Sequence, residues 1–307
     1  MENSADLNPS VSRDPSDAGS VVIFSINPNS GATDRRDLCE TIAENLRRRG
    51  FDTRLLSDLE QVEAQTIESL KQKTLRAVVS AGGDGTIAML ANRLPAETTF
   101  AILPMGTENL LGRHLGLKSD PDFFTELITH GRQSRIDAGM ANGKLFLVVA
   151  SCGFDAAVVE QLDEVRSGHI SRLSWIRPIL TTIRRYQYPP LKCTIDGVES
   201  SMPFHWAFVF NIPKYAIGLQ FTPAAKPTDG LLDVCTYRGG GILRGFWYMF
   251  NTFAGRHQRL DATQLSQFKK LMITSDSSVP YELDGDPGGY LPLEIEVKPD
   301  AIRLLLP

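Results

Sequence analysis

Apolar positions between residues 21 and 116 alternate between short unbroken runs and stripes of helical spacing. Val21-Val22-Ile23-Phe24-Ser25-Ile26, Ala77-Val78-Val79-Ser80-Ala81 and Phe100-Ala101-Ile102-Leu103-Pro104 have the length and continuity of fully buried strands. Between them the spacing predicts helices. One opens near Thr33 or Asp34 and buries Leu38, Ile42 and Leu46; one covers 62–73 with Ile67 and Leu70 inward. Further helices cover 86–94 and run through Leu111 and Leu115, and 53–56 adds a short strand. Strands alternating with helices predict an α/β domain on a mostly parallel sheet.

The texture changes after about residue 135. Segments 144–150, 192–195, 205–211, 231–237, 270–274 and 293–297 read as short strands separated by Gly, Pro or Asp turns, which predicts an antiparallel domain. Two helices interrupt it. One, over 170–186, places Ile170, Leu173, Ile176, Ile179, Leu180 and Ile183 on one buried stripe; the other, over 242–260, is aromatic and ends in Arg256, His257 and Arg259. The expected organisation is a disordered tail over 1–20, polar and broken by Pro9, Pro15 and Gly19, an α/β domain over 21–134 and a β-rich domain over 135–307. The chain ends at Pro307 after a strand-like segment, so no C-terminal segment is expected to return to the first domain.

Charge and composition narrow the function classes. A formal charge of −4 lacks the basic excess of a general nucleic-acid binder. Arg47-Arg48-Arg49 before Gly50 is ordinary charge pairing with a helix C-terminus. Cys39, Cys152, Cys193 and Cys235 show no CxxC pair or metal spacing, which fits reduced thiols in a cytoplasmic protein. The most apolar stretch, 245–254, is far shorter than the roughly 20 residues of a membrane span, so any membrane contact is expected to be peripheral, at the inner face.

The candidate chemistry starts at Gly82-Gly83-Asp84-Gly85-Thr86, between a buried strand and a helix. Backbone N–H groups at such a turn, backed by a helix dipole, bind phosphate. An aspartate there repels a phosphate by about 4 kcal/mol at 4 Å and an effective dielectric near 20. A divalent cation reverses the sign, since Mg²⁺ bridges carboxylates and nucleotide phosphates. The string therefore reads as a Mg-nucleotide site, with an ordinary tight turn as the alternative. Turns at 27–31 and 106–109 also follow strand C-termini, where open parallel sheets place ligands.

The full set of motifs resembles the diacylglycerol kinase catalytic family, which includes bacterial soluble lipid kinases and sphingosine and ceramide kinases. It comprises Asn27-Pro28-x-Ser30-Gly31, GGDGT at 82–86, Pro104-x-Gly106-Thr107-x-Asn109, Gly153-Phe154-Asp155, Asp229-Gly230-x-Leu232-Asp233 and Asp284-Gly285, and spans about residues 21 to 307. GGDGT alone also occurs in NAD kinases, and phosphofructokinases carry a close variant; the GTxN turn and the late DG elements favour the lipid kinases. The resemblance implies a phosphofructokinase-like α/β nucleotide domain and a C-terminal antiparallel β-sandwich-like domain across a cleft. It implies ATP-dependent transfer of the γ-phosphoryl group to a lipid hydroxyl. It also implies that Asn27, Ser30, Gly82, Gly83, Gly85, Thr86, Thr107 and Asn109 line the nucleotide pocket and that Asp84 belongs to the nucleotide–Mg²⁺ site. Asp284 matches the aspartate thought to act as general base, and a carboxylate in that role contributes ~10²–10⁴-fold. A structural Mg²⁺ is implied at the Asp229 side chain and the Lys226 and Leu231 carbonyls.

Plain turns are the alternatives at Asp229 and at Asp284, since Asp-Gly is the favoured type I′ pair. The chain also departs from the family pattern. Asp286 stands where DGE is common, and the usual glycine cluster is thinned to Tyr215-Ala216-Ile217-Gly218-Leu219. Two segments suit anionic membrane: Arg172, Arg177, Arg184 and Arg185 beside Trp175, and the aromatics of 246–253. Both helices covering the β domain is the alternative. The competing functions are an NAD kinase and a non-catalytic nucleotide- or lipid-binding regulator. The acceptor lipid is left open, and a homodimer is allowed.

Overall fold

The computed structural model describes residues 19–26, 33–164 and 176–307. The expected tail lies outside the described residues except for its last two. The chain forms two compact units: residues up to Ile136 with Asp300–Pro307, and Asp137–Pro299.

The first unit follows the predicted alternation: β1 (Val21–Ile26), α1 (Thr33–Arg48), β2 (Asp52–Leu56), α2 (Leu59–Lys71), β3 (Leu75–Gly82), α3 (Asp84–Arg93), β4 (Thr99–Pro104), α4 (Leu110–His114) and α5 (Pro121–His130). The strands run β2-β1-β3-β4, all parallel. β1, β3 and β4 are buried almost throughout, as continuous apolar runs require when helices cover both faces. On α2 the inward positions are Val62, Thr66 and Ser69, while Ile67 and Leu70 are half-buried rather than inward. Thr66 can face in because its hydroxyl donates to the Val62 carbonyl at 2.6 Å. The edge of the sheet beyond β4 is taken by the end of the chain, with Arg303 opposite Thr99 and Leu304 opposite Phe100 in parallel. The final eight residues thus return to the first unit, against the expectation that no segment does. A parallel edge strand with a buried apolar sequence needs a partner, and Leu304, Leu305 and Leu306 are all buried.

The second unit is antiparallel. β5 (Arg132–Ala141) leads into it, followed by β6 (Lys144–Phe146), β7 (Val149–Cys152), α6 (Phe154–Glu164), α7 (Ile176–Arg185), β8 (Lys192–Ile195) and β9 (Val198–Glu199). Then come β10 (Trp206–Phe210), β11 (Leu232–Tyr237), α8 (Ile242–Phe253), β12 (Thr263–Phe268), β13 (Lys270–Thr274), β14 (Pro280–Leu283), β15 (Asp286–Tyr290) and β16 (Leu293–Leu306). One layer is the six-stranded antiparallel sheet β12-β11-β10-β7-β14-β15. The other joins the first half of β16 to β13, β8 and β9. Residues such as Phe146, Val209, Val234, Phe268, Ile273 and Ile295 fill the core. The predicted strand over 144–150 is two strands, since residues 147 and 148 turn to serve a carboxylate described below. On α7, Ile179 and Leu180 are exposed rather than buried; the inward residues are Pro178 and Thr182. The part of that predicted helix over 170–175, with Arg172 and Trp175, lies outside the described residues. The aromatic helix ends at Phe253, with a 3-10 turn at His257–Arg259.

Arg76 is the buried cation of the first unit. Val21 pairs with Leu75 and Val22 with Ala77, so Arg76 is an extra residue in β3. Its guanidinium donates to the carbonyls of Ile128 at 2.7 Å and Gly131 at 2.9 Å, where α5 ends. Helix C-termini leave such carbonyls without partners and attract cations. Arg76→Ala is expected to destabilise the protein by about 3 kcal/mol, since a hydrogen bond to a charged donor contributes roughly 1.5–3 kcal/mol. Urea unfolding of wild type, Arg76→Ala and Arg76→Lys tests this, with Lys recovering part of the loss.

Candidate active site

In the first unit two strand-end turns are locked into one structure. Gly83 and Gly106 meet backbone to backbone: a Cβ on Gly106 would lie 2.5 Å from the Gly83 Cα and 2.8 Å from Asn109 Oδ1. At Gly82 a Cβ would lie 2.2 Å from Thr86 Oγ1. The Met105 N–H donates to the Gly82 carbonyl at 2.9 Å. Asn109 is left-handed, with φ 49°; its Oδ1 accepts the Gly106 N–H at 2.7 Å and its Nδ2 donates to the Gly106 carbonyl at 2.9 Å. Asparagine is one of the few residues that tolerates this backbone and closes the turn on itself.

Asp84 completes the lock. It opens α3, yet its carboxylate accepts the Leu110 N–H at 2.8 Å and the Leu111 N–H at 3.0 Å, capping α4. Burial pushes its pKa up, the two N–H donors oppose that, and the Glu108 charge adds to the rise. Gly83 precedes α3 with no side-chain cap, and the Thr86 N–H turns back to the Gly83 carbonyl at 3.0 Å, so no capping side chain covers the positive end of the helix. Gly82, Gly83, Asp84, Gly85, Thr86 and Asn109 are thus brought together; Thr107 is on the same turn, exposed. Asn27 and Ser30 lie outside the described residues.

In the second unit Asp284 and Gly285 have φ of 51° and 86° and join β14 to β15, with Leu283 opposite Asp286. This is the backbone of the two-residue hairpin that Asp-Gly favours. The side chain does more than turn the chain. Its carboxylate accepts the N–H groups of Leu147 at 2.7 Å, Val148 at 2.8 Å and Val149 at 3.0 Å. Three donors stabilise the anion and fix its direction.

A buried acidic layer lies beside this turn. Tyr281 and Leu283 face the core, so Glu282 faces the opposite side of the sheet, where α6 packs on β14. Glu282 is fully buried; its Oε2 accepts the Gly285 N–H at 2.7 Å, and Ser151 lies beside its carboxyl. Asp155, in the first turn of α6, accepts from Ser151 Oγ and from the Tyr215 hydroxyl, both at 2.9 Å. Burial drives the pKa of Glu282 well up, and the Asp155 charge drives it further. Burial also raises Asp155, against its two hydrogen bonds. Asp155 was visible in the sequence as part of GFD; Glu282, Tyr215 and Ser151 carried no motif signal. Tyr215 occupies the thinned glycine cluster and packs among Phe208, Phe210 and Phe221.

Among the described residues no three His, Cys, Asp or Glu side chains converge as a metal cage. The donor sets nevertheless suit a hard cation shared with phosphate or water. Asp84 is a desolvated carboxylate with Glu108 repelling it, and two N–H bonds leave about half of its roughly four acceptor positions. Asp229 is exposed and accepts the Leu231 N–H at 3.1 Å. Asp233 nearby is pushed up to about 6, chiefly by burial, with the Asp229 charge contributing.

Gly106→Ala has no room for its methyl group and is expected to cost about 1–3 kcal/mol, the range for overpacking. Urea unfolding and ATP titration calorimetry measure the loss of stability and the weakened nucleotide affinity together. Glu282 makes a pH prediction. With its folded pKa raised, the native state holds a proton that the unfolded chain releases above about pH 4.3. Its stabilisation is complete below that pH and is lost as pH rises toward the folded pKa, at about 1.4 kcal/mol per pH unit per proton. Unfolding of Glu282→Gln at pH 4.5 to 8 is expected to show a flatter stability profile than wild type.

Comparison with known proteins matches the chain to one family. Residues 21–141 match the diacylglycerol kinase catalytic domain, and residues 148–306 match the YegS C-terminal NAD kinase beta sandwich-like domain. A diacylglycerol kinase of Mycobacterium tuberculosis is 29% identical over 239 residues, covering 75% of this chain and 77% of the relative. One of Staphylococcus saprophyticus is 25% identical over 278 residues, covering 87% and 88%. A crystal structure of a diacylglycerol kinase from Bacillus anthracis has the same fold, with a TM-score of 0.67 and 22% identity over 94% of this chain and 97% of that one. With a catalytic domain built on the locked glycine turns and a YegS-type β-sandwich-like domain after it, the chain belongs to the diacylglycerol kinase family of bacterial lipid kinases.

Proposed function

We propose that the protein transfers the γ-phosphoryl group of ATP to a hydroxyl of diacylglycerol or a related lipid, with Mg²⁺ and with Asp284 as the general base. The observation that carries the reading is the pair of glycine turns held together by Asp84 and Asn109. They form a rigid backbone cradle, with no room for a Cβ at Gly82 or Gly106, at the N-terminus of α3, which has no side-chain cap. Phosphoryl transfer depends mainly on positioning and charge neutralisation, which such a cradle supplies.

Gly82, Gly83, Gly85 and Thr86 hold the donor phosphates, with Thr107, Asn109, Asn27 and Ser30 along the nucleotide. Asp84 would hold Mg²⁺, which neutralises phosphate charge when bound; Asp229 with the Lys226 and Leu231 carbonyls would hold a second, structural one. The lipid hydroxyl gives its proton to the Asp284 carboxylate as its oxygen bonds to the γ-phosphorus. The bond from that phosphorus to the β-γ bridging oxygen breaks, and ADP leaves. Three backbone N–H groups fix the direction of the Asp284 carboxylate that takes the proton. Among the described residues no helix is long and apolar enough to cross a membrane. In this reading the acceptor is reached by peripheral contact, at the cytoplasmic face.

Transfer of label from γ-labelled ATP to diacylglycerol, phosphatidylglycerol, ceramide and sphingosine in mixed micelles tests the reading. Wild type is expected to label diacylglycerol or a close relative, and Asp284→Asn to lose roughly 10²–10⁴-fold in kcat. Nucleotide affinity of the variant, measured by calorimetry, is expected to be retained. Phosphorylation of NAD with no lipid labelled would overturn the acceptor class.

A further inference from the structure

Helix α8 is amphipathic in the inverted sense. Its inward residues are Gly245, Tyr248, Asn251 and Thr252. They are held by polar bonds: Tyr248 donates to the Arg238 carbonyl, and the Tyr237 and Thr252 hydroxyls are paired at 2.7 Å. Tyr248 also stacks on Tyr237 with centroids 4.6 Å apart, and Gly245 leaves room for Trp206, whose ring a Cβ would meet at 2.7 Å. The outward face carries Leu243 (82% exposed), Phe246, Trp247, Met249, Phe250 (63%) and Phe253 (76%). A helix that spends its polar side chains on the protein and presents its large apolar ones outward is built for an apolar phase.

The charges around this face select the phase. No acidic residue occurs in α8. At its foot is a cavity of about 450 Å³ lined by Arg238, Arg244, Trp247, Tyr248, Leu260 and Asp261. Among the described residues neither guanidinium has a carboxylate within ion-pair distance. Arg256 and Arg259, both exposed, follow the helix. A second copy of the chain placed on this face would bring arginines toward arginines. Large apolar and aromatic residues beside cations complement an anionic lipid surface.

We infer that α8 lies in the surface of an anionic bilayer, its apolar face among the acyl chains, and that the Arg238–Arg244 cavity receives the phosphate of an anionic phospholipid headgroup. This is a binding site apart from the cradle and the Asp284 turn, and it does not depend on which lipid is phosphorylated. A headgroup phosphate there accepts from both guanidinium groups, and the indole of Trp247 sits at the depth where interfacial aromatics lie.

The test uses the full chain without nucleotide, so its outcome is independent of kinase activity. Flotation with vesicles of phosphatidylcholine, alone or mixed with phosphatidylglycerol, measures binding; quenching by brominated acyl chains reports insertion, with Trp247→Phe identifying the signal. Wild type is expected to bind the phosphatidylglycerol vesicles and to be quenched. Arg238→Gln with Arg244→Gln is expected to weaken that binding by roughly 25-fold, at about fivefold per basic residue. Phe246→Ser with Phe250→Ser, both exposed and so leaving the fold intact, is expected to abolish quenching. Equal binding to neutral vesicles, or unchanged binding by the arginine variant, overturns the proposal. So does binding of inorganic phosphate without vesicle binding, or a wild-type dimer that the Phe246/Phe250 variant dissociates.

Discussion

Each unit is fastened at a turn by a carboxylate that accepts backbone N–H groups from another segment. Asp84 sits at the start of one helix and caps the next. Asp284 sits at the tip of a hairpin and gathers three successive N–H groups from residues 147–149. Such bonds are charge-assisted and short, and they tie together pieces distant in sequence. A turn held only by its own backbone would be free to drift, and with it the direction in which a phosphate or a proton is met. Here the side chain that names the motif is also the fastener, so a substitution at either position disturbs local structure as well as any chemistry proposed for it.

The first unit was largely legible because its physics is local. Continuous apolar runs flanked by glycine turns allow few other structures, and β1, β3 and β4 lie where the pattern put them. What escaped was set by tertiary contact. Helix α5 carries a strong start signal in Asp120-Pro121 that the strand-to-helix rhythm passed over. The inward face of α2 is small and polar because Thr66 satisfies itself on the backbone. The return of the last residues to β4 is invisible in any local window.

In the site, Gly82 and Gly106 stand where a Cβ would clash, and Asn109 where few residues tolerate the left-handed backbone, so the string of residue types was itself a signal. Asp284 was readable both as a turn former and through the family resemblance, and in the structure it makes the turn while its carboxylate gathers three N–H groups. Glu282 was not readable. In a four-residue strand its charge marks it as solvent-facing, and only the packing of α6 on β14 turns that face into an interior. A titratable group whose environment is assembled from three separate elements leaves no trace in spacing. The same holds for α8, whose apolar residues suggested a buried helix or an interfacial one until the inward side was seen to be the polar one.

The edge of the parallel sheet has a consequence for synthesis of the chain. Phe100 in β4 is paired with Leu304, roughly 200 residues later. At ribosomal rates of about 5–20 residues per second, the first unit waits some 10–40 seconds with an apolar strand edge uncovered. The nascent protein therefore spends most of its translation with a surface that invites intermolecular strand pairing. Its yield in the cell should depend on holdase capacity and elongation speed more strongly than the stability of the finished fold would suggest.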